Sequence, residues 1–507
     1  MIGSVDTAST TGQSSRRQLL FWCVIVLVLL ASIPLHMGSP TADVSWLITI
    51  CERMLAGETV YVDILETTPP LPLLLYMPPV VAGQMFDVSP ELALVIIVYL
   101  TGFLVLVLTG GILPLESTEQ TRSARTIILA ASVMLFVAPA DAFAQREYFA
   151  TLFALPMIAV FIRHAHIGEW PPISMRVIAT LLVALTIAIK PPHFVFPGAV
   201  IFGYYLWRTR NPIFVIKSGF LAAGLLALLI SVATLAWFPD YLGPVWTLIR
   251  EVYLPTKSNP IFVLHLYEGI AVLLALGITL ILQVEQRHSC SVWLLLSAGV
   301  GFLVVYFIQG KFFPYHAYPA ALLIYSALSL AVVEWISSID PSNKAFRVVF
   351  SMALALVCIV LPYFMYLGMR DYRPKMSDLS WATNLKDPSV MAISPFIGTS
   401  FPLVREFGGV WVDRAHSQWV SHYTRAMLAR GELSPEVREV MIRHHKDDLE
   451  WFLKSAEQNR PDVIIVNIGS SYSWLIQELK EIKPNFLEDY TTVSEEGIVR
   501  IMVRNVK

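Results

Sequence analysis

Long apolar runs alternate with short polar interruptions up to about residue 369, and there the pattern changes. About twenty apolar residues cross a bilayer core. Runs of this kind, some shorter, cover 18–36, 91–113, 126–140, 147–162, 177–189, 194–207, 218–238, 261–284, 291–308, 318–336 and 347–368. A further apolar stretch, 71–86, sits among Pro69, Pro70, Pro72, Pro78 and Pro79. Each proline removes a backbone donor and disfavours helix at the residue before it. Hydrocarbon offers no partner for the freed groups, so this stretch reads as re-entrant or interfacial. Arg16 and Arg17 precede the first run and no small-residue cleavage site stands out. That run is therefore read as a transmembrane helix with a cytoplasmic segment 1–17 before it.

Lys and Arg counts fix the topology. With eleven spans, twelve lie on the cytoplasmic side, Arg287 among them, and six in the short outer loops. Were 71–86 to cross, the count would become seven inside against eleven outside. Eleven spans put the N-terminus inside and the C-terminus outside.

Beyond 369 charges become frequent. Segments 390–394 and 463–467 read as short buried strands, and 491–503 as a hairpin turning near Glu496-Gly497. Ser434-Pro435-Glu436 opens a helix that runs to about Asn459. The expected architecture is an all-α polytopic membrane domain of about eleven helices over 18–368, with a first outer loop 37–90. A small α/β domain, 369–507, follows on the periplasmic side. Within the first loop, Val44, Leu47, Ile48, Cys51 and Leu55 form the apolar face of a helix lying in the membrane interface.

Composition narrows the function. The 507 residues are 56% hydrophobic and 15% charged, against about 25% charged in soluble domains, which excludes a water-soluble globular enzyme. A net charge of −2 leaves no basic excess for nucleic acid. The four cysteines show neither disulfide nor zinc spacing. Walker-type, dinucleotide and HExxH motifs are missing, so a nucleotide-sugar site is unsupported. A donor already dissolved in the membrane needs no such site. A divalent metal stays undecided, since carboxylates are present without ligand spacing.

The polar residues that a bilayer should exclude collect on the outer side. The first loop carries Asp43, Asp63 and Glu66. The plain reading of Asp43 is the N-cap of the interfacial helix. The second outer loop packs Asp141, Arg146 and Glu147 into seven residues, which also suits a local Arg–Glu pair. Lys190 ends a span before Pro191-Pro192, where a lysine can simply reach up to the interface. Lys311, Tyr315 and His316 lie at a Gly/Pro-broken membrane edge. There the lysine supplies a point charge for a phosphate and its neighbours supply hydrogen bonds.

A first-loop Asp43, an interfacial helix and then Glu66-x-x-Pro69-Pro70-Leu71 resemble the polyprenyl-phosphate-dependent glycosyltransferases of the GT-C superfamily. Among these are protein O-mannosyltransferases, the lipid A aminoarabinose transferase and bacterial core galacturonosyltransferases. Glu147, in Gln145-Arg146-Glu147, occupies the place where many members carry Asp. Gly310-Lys311-…-Tyr315-His316-…-Pro319 is similar to a late outer motif of bacterial members. The resemblance covers the membrane part.

It implies transfer of one sugar from a lipid monophosphate carrier to a glycan, lipid or protein acceptor at the periplasmic face of a bacterial inner membrane. In that reading Asp43 is the base and Glu147 its partner, with Glu66 and Asp63 as further carboxylates. Lys311, Lys190, Arg146, His316 and Tyr315 hold the donor phosphate. The aminoarabinose transferase has Lys directly after the Glu, where this chain has Thr67-Thr68, which leaves the phosphate to those other cations. Two other functions share parts of the pattern. A polysaccharide polymerase or ligase also works at the outer face, on diphosphate carriers. A lipid-linked sugar transporter or flippase would show internal repeats and midplane charges, and neither is seen.

Overall fold

The computed structural model describes residues 7–38, 40–190, 192–285, 289–339, 344–370, 376–431 and 433–505. Pro191 and Arg287, which entered the sequence reading, lie outside the described residues. Two compact units form. One comprises Met1–Met37, Val95–Ser231 and Asn259–Arg370; the other comprises Gly38–Leu94, Val232–Ser258 and Asp371–Lys507.

The first unit is helical. Every apolar run anticipated above lies on a helix. Among the described residues, eight helices are long and apolar enough to cross a membrane. The other three runs fall on helices that miss that mark for local reasons. Thr118–Phe136 carries Glu119, Arg122 and Arg125 in its first turns. Ile173–Ile189 has 17 residues, and Pro192–Thr209 contains Pro197 and ends on Arg208 and Thr209. The most central helix is Pro314–Ser338, which packs on Cys290–Gln309, Tyr267–Glu285, Thr118–Phe136 and Arg146–Ile167. Lipid tails are as apolar as the side chains, so close packing rather than water exclusion holds such helices together. Gly301 illustrates it: a β-carbon there would stand 2.4 Å from the α-carbon of Pro197.

The second unit joins the first loop to the C-terminal sheet. Helix Ala42–Leu55 starts at Thr41, whose hydroxyl accepts the Val44 N–H at 3.3 Å. The cap is thus Thr41 and not Asp43, which sits in the first turn. The proline-rich stretch breaks into two short helices, Pro70–Leu74 and Met77–Phe86, with Leu75 and Tyr76 between. At about 1.5 Å per residue neither is long enough to span.

The sheet contains β1 (Ser389–Ile393), β2 (Val410–Trp411), β3 (Val463–Asn467), β4 (Tyr490–Glu496) and β5 (Val499–Arg504), in the order β2-β1-β3-β5-β4. β1 runs parallel to β2 and β3, while β5 is antiparallel to β3 and β4. β3 is buried along its whole length, as a central strand covered on both faces should be. Met391 and Ile464 of the sheet pack with Leu449 and Phe452 of helix Pro435–Asn459.

Arg405 ties this unit to its first loop. Its guanidinium donates to both oxygens of Glu52, at 2.6 and 3.0 Å, to Thr49 Oγ1 at 3.0 Å and to Glu91. The arginine side chain is 14% exposed, so the paired charges are screened little. Removing one partner of such a pair leaves the others uncompensated, at a cost of about 3 kcal/mol. Arg405→Ala should therefore lower the thermal unfolding midpoint of the purified protein and speed proteolysis after the first loop. Arg405→Ala combined with Glu52→Gln should restore part of the loss; an unchanged midpoint in the single variant would show the tie to be dispensable.

Candidate functional site

In the first unit four helix ends meet at one carboxylate. Glu147 lies in the first turn of helix Arg146–Ile167 and its side chain has no solvent exposure. Lys190 follows the last residue of helix Ile173–Ile189, where the backbone turns extended. Its ammonium donates to Glu147 Oε1 at 3.0 Å and to Gln309 Oε1 at 2.6 Å. Gln309 ends helix Cys290–Gln309, which stops because Gly310 takes a left-handed conformation, φ 62°. His316, in the first turn of helix Pro314–Ser338, brings its Nε2 to 3.5 Å from the same Glu147 oxygen.

The two groups that face Glu147 differ in access. The His316 side chain is 3% exposed, whereas that of Lys190 is 31% exposed. Lys190 is thus anchored by its ammonium while part of its side chain stays exposed. Phe313 and Tyr315 pack their rings against His316, at 5.5 and 4.6 Å. Arg146 lies close enough to Lys190 to act on its charge. Lys311 sits in the short link between the two helices, five residues before His316.

In the second unit a different set forms around helix Ala42–Leu55. Glu66 is buried, and its two oxygens accept the Trp46 indole N–H and the Thr68 N–H, each at 2.6 Å. The Trp46 ring meets His416 edge-on, with centroids 5.7 Å apart. Ser417 Oγ lies 2.8 Å from His416 Nδ1. Burial pushes the His416 imidazole below its ordinary range, and the nearby Glu66 and Asp43 charges oppose that shift. Burial, with Asp43 adding to it, pushes the Tyr423 phenol up to about 12. Asp43 is half-buried in the first helical turn, where the helix dipole favours a carboxylate. Asp63 is exposed and accepts the Thr59 N–H of its own turn at 2.8 Å.

The structure thus gathers Glu147, Lys190 and His316 in one place and Asp43 and Glu66 in another. Sequence reasoning missed Gln309 as a partner of Lys190. It also missed Trp46 and His416 beside the first-loop acids. His416 comes from a turn of the C-terminal domain, and no local spacing links it to residues some 350 positions earlier. No group of three or more His, Cys, Asp or Glu residues among the described residues could hold a metal ion.

Charge coupling at Glu147 is directly testable. Glu147→Gln removes the counter-charge of Lys190, and Lys190→Met removes that of Glu147. Each should lower the unfolding midpoint, and the double variant should lose less than the sum, by a coupling of about 0.5–3 kcal/mol. Strict additivity would mean that the pair contributes nothing.

No family model matches the chain, and no curated protein sequence matches it. Among solved structures it is similar to ArnT from Cupriavidus metallidurans, both bound to undecaprenyl phosphate and in the apo state. Identity to the bound form is 13%, the TM-score is 0.57, and 96% of this chain and 98% of ArnT are covered. The apo form gives the same identity and TM-score over 97% of this chain and 98% of that one. A mycobacterial arabinofuranosyltransferase, AftD, follows at a TM-score of 0.46 and 13% identity, covering 97% of this chain and 40% of its own, a likeness too weak to build on. Over nearly its whole length, therefore, the chain shares the fold of ArnT.

Proposed function

We propose that this chain is a membrane glycosyltransferase that moves one sugar from a polyprenyl-phosphate carrier to a hydroxyl of a glycan, lipid or protein acceptor. In this reading it is a multi-pass inner-membrane protein with a cytoplasmic N-terminus and a periplasmic C-terminal domain, as the distribution of Lys and Arg favours. One observation carries the reading: a lysine anchored by its ammonium on a buried carboxylate at the helix ends, its side chain part-exposed, in a chain sharing the fold of a protein solved with undecaprenyl phosphate.

The chemistry is a single displacement with inversion at the anomeric carbon. The acceptor oxygen bonds to that carbon while the bond to the carrier phosphate breaks, and its electron pair leaves with the phosphate. Asp43 takes the hydroxyl proton, a step typically worth 10²–10⁴-fold. Charge builds on the departing phosphate, and Lys190 supplies the cation that stabilises it. Glu147 and Gln309 hold the lysine, and His316 completes that anchor. Lys311, Arg146 and Tyr315 complete the cation and hydrogen-bond supply around the carrier. Glu66, with both oxygens occupied, keeps Trp46 and the loop in place. Asp63 serves its own turn.

Binding and chemistry separate in the test. Undecaprenyl phosphate should bind the purified protein in nanodiscs, and Lys190→Ala should weaken it about tenfold or more. Asp43→Asn should bind as the parent does yet lose transfer in membranes by about 10²-fold. Equal affinity of Lys190→Ala and parent would overturn the phosphate assignment, and near-parental transfer by Asp43→Asn would overturn the base.

A further inference from the structure

Within the second unit a cavity of about 320 Å³ opens beside the helix Pro435–Asn459. His444, Asp447, Asp448 and Trp451 line it at i, i+3, i+4 and i+7, so they share one face of that helix. Asp413 and Arg414, from the turn after β2, line it too. That face carries two aspartates, a histidine and a tryptophan, and the buried Phe452 also lines the cavity.

We propose that this cavity is a glycan-binding subsite, taking one uncharged, hydroxyl-rich sugar unit of the acceptor. The proposal names the acceptor class and so rests on the transferase reading above.

Three observations select a neutral sugar. First, the size is right: the cavity stands at the lower end of small-molecule pockets, which begin near about 300 Å³. Second, an amphipathic platform is present. Trp451 is 45% exposed and, with the Arg414 guanidinium 4.6 Å over its ring, sets an apolar edge beside a hydrogen-bond donor in the cavity lining. Third, the polar groups are both donors and acceptors. Asp448 Oδ2 is held by the Ser421 N–H and hydroxyl, at 2.9 and 2.6 Å. Asp413 is 2% exposed, and one of its oxygens accepts the Arg414 N–H at 2.7 Å. Burial pushes these carboxyls up, to about 6 for Asp448 and about 7 for Asp413. Near neutral pH each therefore exists in both forms, able to donate to or accept from a hydroxyl.

Other ligand classes fit less well. An anion would meet three aspartates. A cation would meet the Arg414 guanidinium, which already lies 4.6 Å over the Trp451 ring, where a cationic ligand would stack. A metal is disfavoured because these acids do not converge tightly enough among the described residues.

The test uses the full-length protein in nanodiscs and the methyl glycosides of glucose, galactose, mannose, rhamnose and arabinose, with those of glucosamine and glucuronic acid as charged comparisons. Binding is followed by saturation-transfer NMR, with affinity from calorimetry. At least one neutral glycoside should bind at concentrations up to about 10 mM. Trp451→Ala and Asp447→Asn, both changes at exposed side chains, should each weaken it about tenfold, with unfolding midpoints unchanged. Undecaprenyl phosphate binding by these variants should equal that of the parent. Failure of every neutral glycoside to bind would overturn the proposal. So would binding confined to glucosamine or glucuronic acid, or binding that both variants retain in full. Loss of undecaprenyl phosphate binding in the parent, with glycoside binding intact, would instead count against the carrier reading alone.

Discussion

A carboxylate with no exposure to water needs a cation held against it, and Glu147 is such a group. The cost of leaving it alone organises its surroundings. Lys190 and His316 come from different helices, and both reach the same carboxylate oxygen. Each reaches it because a helix ends or begins there, so the local backbone choices and the charge constraint agree. The helix carrying Gln309 stops at a glycine in the left-handed region, and the one carrying His316 starts on a proline, which forfeits no helical hydrogen bond at that position. Lys190 stands where the backbone leaves the helix. Buried ion pairs of this kind add little net stability compared with apolar packing, but losing one member is expensive. Fixing the position of a lysine is the more economical explanation for keeping one.

The second unit shows the same economy in a wetter setting. Arg405 binds two carboxylates of the first-loop segment and a threonine, and so fixes where helix Ala42–Leu55 stands against the C-terminal chain. Glu66 then spends both oxygens on Trp46 and Thr68, and Trp46 in turn packs against His416, Phe401 and Trp411. Asp43 is left at a helix start that Thr41 already caps.

Much of this was legible before any coordinates. Apolar runs of bilayer length announced the helices, because a spanning segment has no other way to satisfy its backbone. Five prolines within 69–79 announced a break, and two short helices stand there. Strands 390–394 and 463–467 and the hairpin near Glu496-Gly497 matched within a residue or two, since buried strands and glycine turns are local signals. β2, with two residues, carried no pattern to read. The partners of the candidate residues were illegible for a different reason. Lys190 to Gln309 and Trp46 to His416 are contacts across more than a hundred positions, set by packing rather than spacing. The cavity face His444–Asp447–Asp448–Trp451 read simply as charged helix, because helical spacing tells which side chains share a face and not whether that face meets water.

The central claim is that Glu147 holds Lys190 for a carrier phosphate, and a structure of this protein with undecaprenyl phosphate tests it most directly. An electron cryomicroscopy map should place a phosphate oxygen within hydrogen-bond distance of Lys190 Nζ, about 2.7–3.2 Å, with the ammonium still on Glu147. A phosphate bound elsewhere, with Lys190 and Glu147 undisturbed and out of its reach, would contradict the claim.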